Sequence, residues 1–163
     1  MSVRPYDPIQ SLYRTMLVYG AVGVLILIVG LAEFVYFEPP GHTTGYKARI
    51  TGIFKYDPAA NTTIGPDRSY FSRSEKFAAV VDWSSLPADI TVDARWYDGF
   101  RVVVGQAGPG MPAQLADKTT VPVMIPPNLK YVLPGRYIFV VERWDGGLPV
   151  EVLARRMVLV ERT

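Results

Sequence analysis

Two hydrophobic patterns divide the chain. The first is continuous: no side chain between Met16 and Ala32 is charged, and Glu33 is the only charge before Glu38. The second alternates, and it recurs in short runs from Lys47 onward. A continuous run has no polar face to turn toward water, so it predicts a helix in an apolar medium. An alternating run places every second side chain on one face, so it predicts strands half buried in a sheet.

The continuous run extends from Met16 to Phe37, and Glu38-Pro39-Pro40-Gly41 ends it. At about 1.5 Å per residue it crosses a hydrocarbon layer about 30 Å thick. Gly30-Leu31-Ala32 has the small-residue spacing of a secretion cleavage site. The apolar run, however, passes through it to Phe37 and exceeds the roughly 7–15 residues of a signal core. A permanent transmembrane helix is therefore expected. Tyr13, Tyr19, Phe34, Tyr36 and Phe37 lie near its two ends, where amphipathic rings favour the headgroup layer. The expected organisation is a short cytoplasmic tail at 1–15, the span at 16–37, a Pro/Gly/Thr linker at 38–45 and a folded domain at 46–163. Arg4 and Arg14 against Asp7 on one side, with Glu33 and Glu38 on the other, put the N-terminus in the cytoplasm and the domain outside the inner membrane.

Seven alternating runs follow. They start at Lys47 (KARITGIF), Lys76 (KFAAVVDW), Asp89 (DITVDARWYD), Arg101 (RVVVG), Thr120 (TVPVMI), Arg136 (RYIFVVERW) and Val150 (VEVLARRMVLVER). In the third, Ile90, Val92, Ala94 and Trp96 face one way, and Thr91, Asp93, Arg95 and Tyr97 the other. Asp145-Gly146-Gly147 reads as a hairpin turn between the last two runs. No stretch of the domain has convincing helical periodicity. An all-β sandwich of about seven antiparallel strands is the economical fold.

The stretch VLPGRYIFVV resembles the Leu-x-Pro-Gly-x-x-Tyr corner before the sixth strand of immunoglobulin-like and fibronectin type III sandwiches, with the Gly-to-Tyr spacing one residue shorter here. The resemblance covers about Tyr46 to Thr163. It implies that the Tyr137 hydroxyl bonds back upstream, that Leu133 plugs the core beneath it, and that Trp96 is a core tryptophan. Trp83 is expected in the same core. The resemblance implies a fold and almost no chemistry, because this fold hosts many functions.

Composition narrows the chemistry further. The chain has no cysteine and one histidine, His42, in the linker. Thiolate metal sites and thiol nucleophiles are thereby excluded, and so is the two-histidine, one-cysteine set of copper carriers. The span has no histidine to ligate haem or pigment. Ser84-Ser85 has no neighbouring base. Asp82, Asp89, Asp93 and Asp98 form a sequence cluster, but Asp82 and Asp93 fall on outward strand faces and read as solvated charges. GQAGPG, Gly105–Gly110, lacks the following helix of a phosphate cradle and reads as a loop. The formal net charge of +2 offers no polyanion groove. No enzyme activity, cofactor, metal, nucleic acid or small-molecule ligand is expected.

Surfaces for protein partners remain. Gly20, Gly23, Leu27 and Gly30 recur at three and four along one helix face, with Glu33 following. Small residues let a second helix approach closely, which is how helices associate in lipid. An ionised group at mid-membrane costs about 2.5–3.5 kcal/mol, so Glu33 either reaches the headgroups or meets a cation on a neighbour. The long connection between the first two runs holds Arg68, Tyr70, Phe71 and Arg73, the composition of an interface anchor. Either aromatic could equally cap the core. The expected role is a non-catalytic accessory subunit docking by its helix into a larger membrane complex, such as a respiratory or photosynthetic one. The alternative is a membrane-tethered binding module of receptor or adhesin type.

Overall fold

A computed structural model of the chain describes residues 8–37 and 43–161. The chain divides into two compact units, Met1–Pro39 and Pro40–Thr163.

Among the described residues, the first unit is one helix, α1, Pro8–Phe37. It starts eight residues before the expected Met16, so residues 8–15 of the expected tail are helical. Proline suits a first helical turn, where its missing N–H has no partner to lose. Ile9, Leu12 and Tyr13 then continue the apolar run. The segment Leu12–Gly30 is long and apolar enough to cross a membrane. Every side chain from Leu12 to Gly30 is exposed. His42, most of the expected linker and the side chain of Glu33 lie outside the described residues.

Among the described residues, the second unit has nine strands. These are β1 (Arg49–Asp57), β2 (Thr62–Ile64), β3 (Tyr70–Phe71), β4 (Phe77–Asp82), β5 (Thr91–Tyr97), β6 (Val103–Gly110), β7 (Thr120–Pro122), β8 (Gly135–Asp145) and β9 (Leu148–Val160). One sheet has the order β2-β1-β4-β7 and the other β3-β9-β8-β5-β6. Each of the seven alternating runs contains a strand. The two additional strands, β2 and β3, lie inside the long connection and are too short to show a period. β2 pairs antiparallel with β1, and β3 runs parallel to β9.

The glycine-rich run Gly105–Gly110, expected as a loop, belongs to β6 and pairs with β5. Its glycines serve close approach. A Cβ on Gly105 would collide with the Pro122 carbonyl, and one on Gly108 would lie 3.0 Å from Asp93 Oδ1. The β8–β9 hairpin turns on Gly146 (φ 57°) and Gly147 (φ 82°), between the paired Asp145 and Leu148. Both positive angles match the two-residue turn whose twist suits a hairpin.

Both sheets contribute to one hydrophobic core. At its centre Phe77 of β4 meets Trp96 of β5 edge-on, with ring centroids 5.2 Å apart. Phe71 stacks on Phe77 at 4.8 Å, and Phe139 of β8 tilts against Trp96 at 4.9 Å. The Trp96 indole N–H donates to the Val121 carbonyl of β7 (2.8 Å), a hydrogen bond from one sheet to the other. Trp83 is also buried, in a single helical turn after β4 that Asp82 caps through the Ser84 N–H (3.1 Å). Its own N–H donates to the Lys118 carbonyl (3.2 Å).

The corner before β8 differs from expectation in one residue. Tyr137 is buried and its hydroxyl donates to the Leu133 carbonyl (2.9 Å). Leu133 itself is 44% exposed, and Val132, 2% exposed, fills the core instead. The Val132 N–H donates to the Arg73 carbonyl (2.9 Å), which ties this stretch to the loop before β4. Held there, Val132 takes the core position and its neighbour Leu133 is left at the surface. Val132→Ala should therefore cost about 1.5–3 kcal/mol of domain stability. Leu133→Ala should stay within about 0.5 kcal/mol. Urea titrations of the full chain in detergent, followed by tryptophan fluorescence, measure both; the reverse ranking would place Leu133 in the core.

Candidate functional site

The expected site residues fall into three places. On α1, Gly20, Gly23, Leu27 and Gly30 follow one another at three and four, and all are exposed. A Cβ added to any of the three glycines would meet nothing within 4 Å. The stripe therefore has room for another surface to approach to backbone distance. Glu33 sits on the same helix.

The predicted anchor loop is split between core and surface. Phe71 is buried against Phe77 and is not a surface anchor. The Arg68 guanidinium lies over the Phe71 ring at 4.7 Å and pairs with Glu75 (3.1 Å). Glu75 also accepts from the Ser72 N–H (3.0 Å). The Ser72 N–H bond, opposed by partial burial and reinforced by Arg68, holds its carboxyl below the usual range. Arg68 and Glu75 thus brace the loop that seats Phe71. Tyr70, 64% exposed, and Arg73 remain outside the core. Arg73 leans over the Tyr131 ring at 6.0 Å.

The aspartates of the sequence cluster are dispersed. Asp82 caps its turn, and the Ser84 hydroxyl (2.6 Å) and N–H hold its carboxyl below the usual range. Asp98, beyond the far end of β5, accepts from the N–H groups of Phe100 and Val102, both at 2.9 Å. Asp89 is exposed in the connection before β5.

Asp93 departs most from expectation. Its side chain faces away from the shared core, as the alternation predicts, yet it is 0% exposed. Longer neighbours cover it. Arg95 Nε (2.7 Å) and Gln106 Nε2 (2.8 Å) both donate to its Oδ2, and the β6 backbone at Gly108 closes over it. Directly across the strand pair stands Glu142, also buried, which accepts from the Tyr97 hydroxyl (3.4 Å). Arg95 lies over the Trp144 ring at 4.4 Å and roofs this layer. Alternation shows which face a residue occupies; it does not show what neighbouring strands lay over it.

Burial dominates the titration of this pair. It pushes both carboxyls above their ordinary values of 3.8 and 4.5, against the pull of Arg95 on each. Asp93 Oδ1 and Glu142 Oε2 are buried without a hydrogen-bond partner among the described residues. The pair is thus built to hold a proton longer than water would allow.

A third buried carboxylate, Glu151 of β9, has the opposite balance. Burial raises it, but donations from the Thr44 hydroxyl and N–H (both 2.8 Å) and from Arg143 Nε (3.0 Å) outweigh this and lower it. Glu151 fastens the chain where it enters the domain, before β1. No three histidine, cysteine or carboxylate side chains among the described residues are grouped to hold a metal.

No family model matches the chain, no curated protein matches it in sequence, and no solved structure matches its fold.

The raised pair and the lowered carboxylates oppose each other across pH. Asp93 and Glu142 contribute stability that is fully present below their unfolded values and is lost as pH rises through the raised folded ones. Glu75 and Glu151 contribute stability that is present above their unfolded values and is lost as pH falls through the lowered ones. Glu142→Gln should therefore match the parent chain below about pH 4 and gain thermal stability over it as pH rises toward about 8. Melting temperatures across that range measure the gap; a gap that closed with rising pH would contradict the burial account.

Proposed function

We propose that this chain is a non-catalytic, single-pass accessory subunit of a larger membrane protein complex. Its helix docks against helices of integral subunits in the inner membrane. The N-terminus lies in the cytoplasm, and the β domain covers the outer face of the complex. The observation that carries this reading is the helix surface: Leu12–Gly30 is apolar and exposed, with three glycines on one side that leave room for a neighbour. Packing of small residues drives association where lipid and side chains are equally apolar.

An immunoglobulin-like arrangement for the domain belongs to the same proposal. Set β2 and β3 aside as small additions. The first, second and fifth main strands (β1, β4, β7) then share one sheet, and the third, fourth, sixth and seventh (β5, β6, β8, β9) share the other. This distribution, the Tyr137–Leu133 hydrogen bond and buried Trp96 on the third main strand support that reading. Such a domain needs no ligand to fold and serves as a rigid cover. Asp82, Asp93 and Asp98 are engaged in caps, buried pairs and turns, which supports a structural use of the carboxylates.

A second reading, a membrane-tethered binding module, draws support from an apolar cleft at residues 98–137 of the domain. The two differ in what the helix does. In native membranes solubilised with mild detergent, the chain should migrate in a complex much larger than 18.1 kDa. Gly23→Leu combined with Gly30→Leu should release it. Migration as a lone species at every detergent strength would contradict the accessory role. An unchanged complex in the double variant would remove the glycine face from it.

A further inference from the structure

Tyr131 stands between two depressions at one end of the β domain. This end is opposite to where the chain enters. Entry places Arg49 beside Asp82, whereas Val123 bonds to Phe77 at the other end of β4 (3.0 Å). On one side of Tyr131 lies a mainly apolar cleft of about 140 Å³, walled by Val102, Val104, Met124, Ile125 and Leu133, with the Asp98 carboxylate at its edge already accepting from the Phe100 and Val102 N–H groups. On the other side lies a depression lined by Ser72, Arg73 and Ser74.

The cleft is close in size to a cavity of about 150 Å³ that accepts benzene. Its rim is unusually apolar for a surface. Met124 is 60% exposed, Tyr131 and Leu133 are also exposed, and Phe100 on the adjoining turn is 86% exposed. Single exposed apolar side chains are ordinary, but several converging on one concavity mark an interaction site.

The polar side is unbalanced in charge. Arg68, Arg95, Arg143 and Arg156 each pair with a carboxylate. Arg73 has no such partner among the described residues, and its Nε is buried without an acceptor. Exposed Lys130 adjoins Tyr131 and adds a second positive charge. The hydroxyls of Ser72 and Ser74 bond to each other at 3.0 Å, which uses one of their two hydrogens and leaves the other to donate. A guanidinium held over an aromatic ring beside a spare hydroxyl donor suits a carboxylate.

We propose that this end of the domain docks a segment of a partner protein that presents one phenyl or aliphatic side chain flanked by aspartate or glutamate. The apolar side chain enters the cleft beside Met124 and Leu133. A flanking carboxylate crosses Tyr131 to meet Arg73 and the serine hydroxyls. The site involves no residue of the helix, so it stands or falls separately from helix docking.

The test uses the full chain in detergent micelles and fluorescein-labelled synthetic peptides read by anisotropy. The probe has a central phenylalanine between aspartate and glutamate residues. One control replaces the phenylalanine with serine, and another replaces the acidic residues with lysine. The probe should bind at least about tenfold more tightly than either control. Arg73→Gln and Met124→Asp should each weaken it about tenfold. Leu148→Asp, an equally exposed apolar position on the β8–β9 hairpin, should leave it unchanged. Equal binding of the three peptides would overturn the proposal, as would variants that fold but bind the probe normally. Sedimentation showing a dimer that Met124→Asp dissociates would assign the cleft to a second copy of the chain and also overturn it.

Discussion

The constraint on which the rest depends is the medium around α1. From Met16 to Gly30 the helix carries no charge, and its side chains are exposed all round. Removing one such aliphatic side chain from water is worth about 1.5–3 kcal/mol. Leaving Leu17, Val18, Leu25, Ile26, Leu27 and Ile28 in water would thus cost on the order of 10 kcal/mol, comparable to the whole stability of a domain. A helix satisfies its own backbone hydrogen bonds, so hydrocarbon can surround it where it could not surround a loop. In that medium close packing replaces the hydrophobic effect as the force between helices, which is the premise of the docking proposed for the glycine stripe.

The domain solves its own problem in a different way. Two sheets are joined by an aromatic cluster, and the Trp96–Val121 hydrogen bond spans from one to the other. Outside that core, β5 and β8 carry the polar layer of Asp93, Arg95 and Glu142. Burying two carboxyls across from each other is costly unless one keeps its proton or both are well paired. Arg95 and Gln106 supply part of the pairing, and the raised titration of both acids is the remainder of the compensation. At the entry end, Glu151 holds Thr44 by two hydrogen bonds. The opposite end, around Tyr131, leaves Met124, Tyr131 and Leu133 exposed, and Arg73 there has no carboxylate partner among the described residues.

Much of this was legible in the sequence because period and length are strong signals. The uncharged run identified the helix, and alternation found the seven main strands. The double-glycine turn fixed the last hairpin. What escaped was decided by contacts between distant segments. β2 and β3 are too short to carry a period. Gly105–Gly110 looks like a loop until the approach of Pro122 and Asp93 explains why side chains are absent there. Phe71 and Tyr70 are adjacent aromatics with the same local context, and only the position of Phe77 decides which is buried. Val132 and Leu133 exchange places for the same kind of reason, since the carbonyl of Arg73, far upstream, holds the Val132 N–H. Asp93 lay on the predicted face, yet Arg95 of its own strand and Gln106 and Gly108 of β6 cover it. The cleft beside Tyr131 draws on two distant stretches, 98–104 and 123–137, and appears only once the fold brings them together.

Lipid around the first long helix is the central claim, and fractionation of native membranes tests it most directly. Washed with high salt and then with alkaline carbonate, the intact chain should stay with the membrane pellet and leave only when detergent is added. Recovery of the intact chain in the salt-wash supernatant, with no detergent present, would contradict the account.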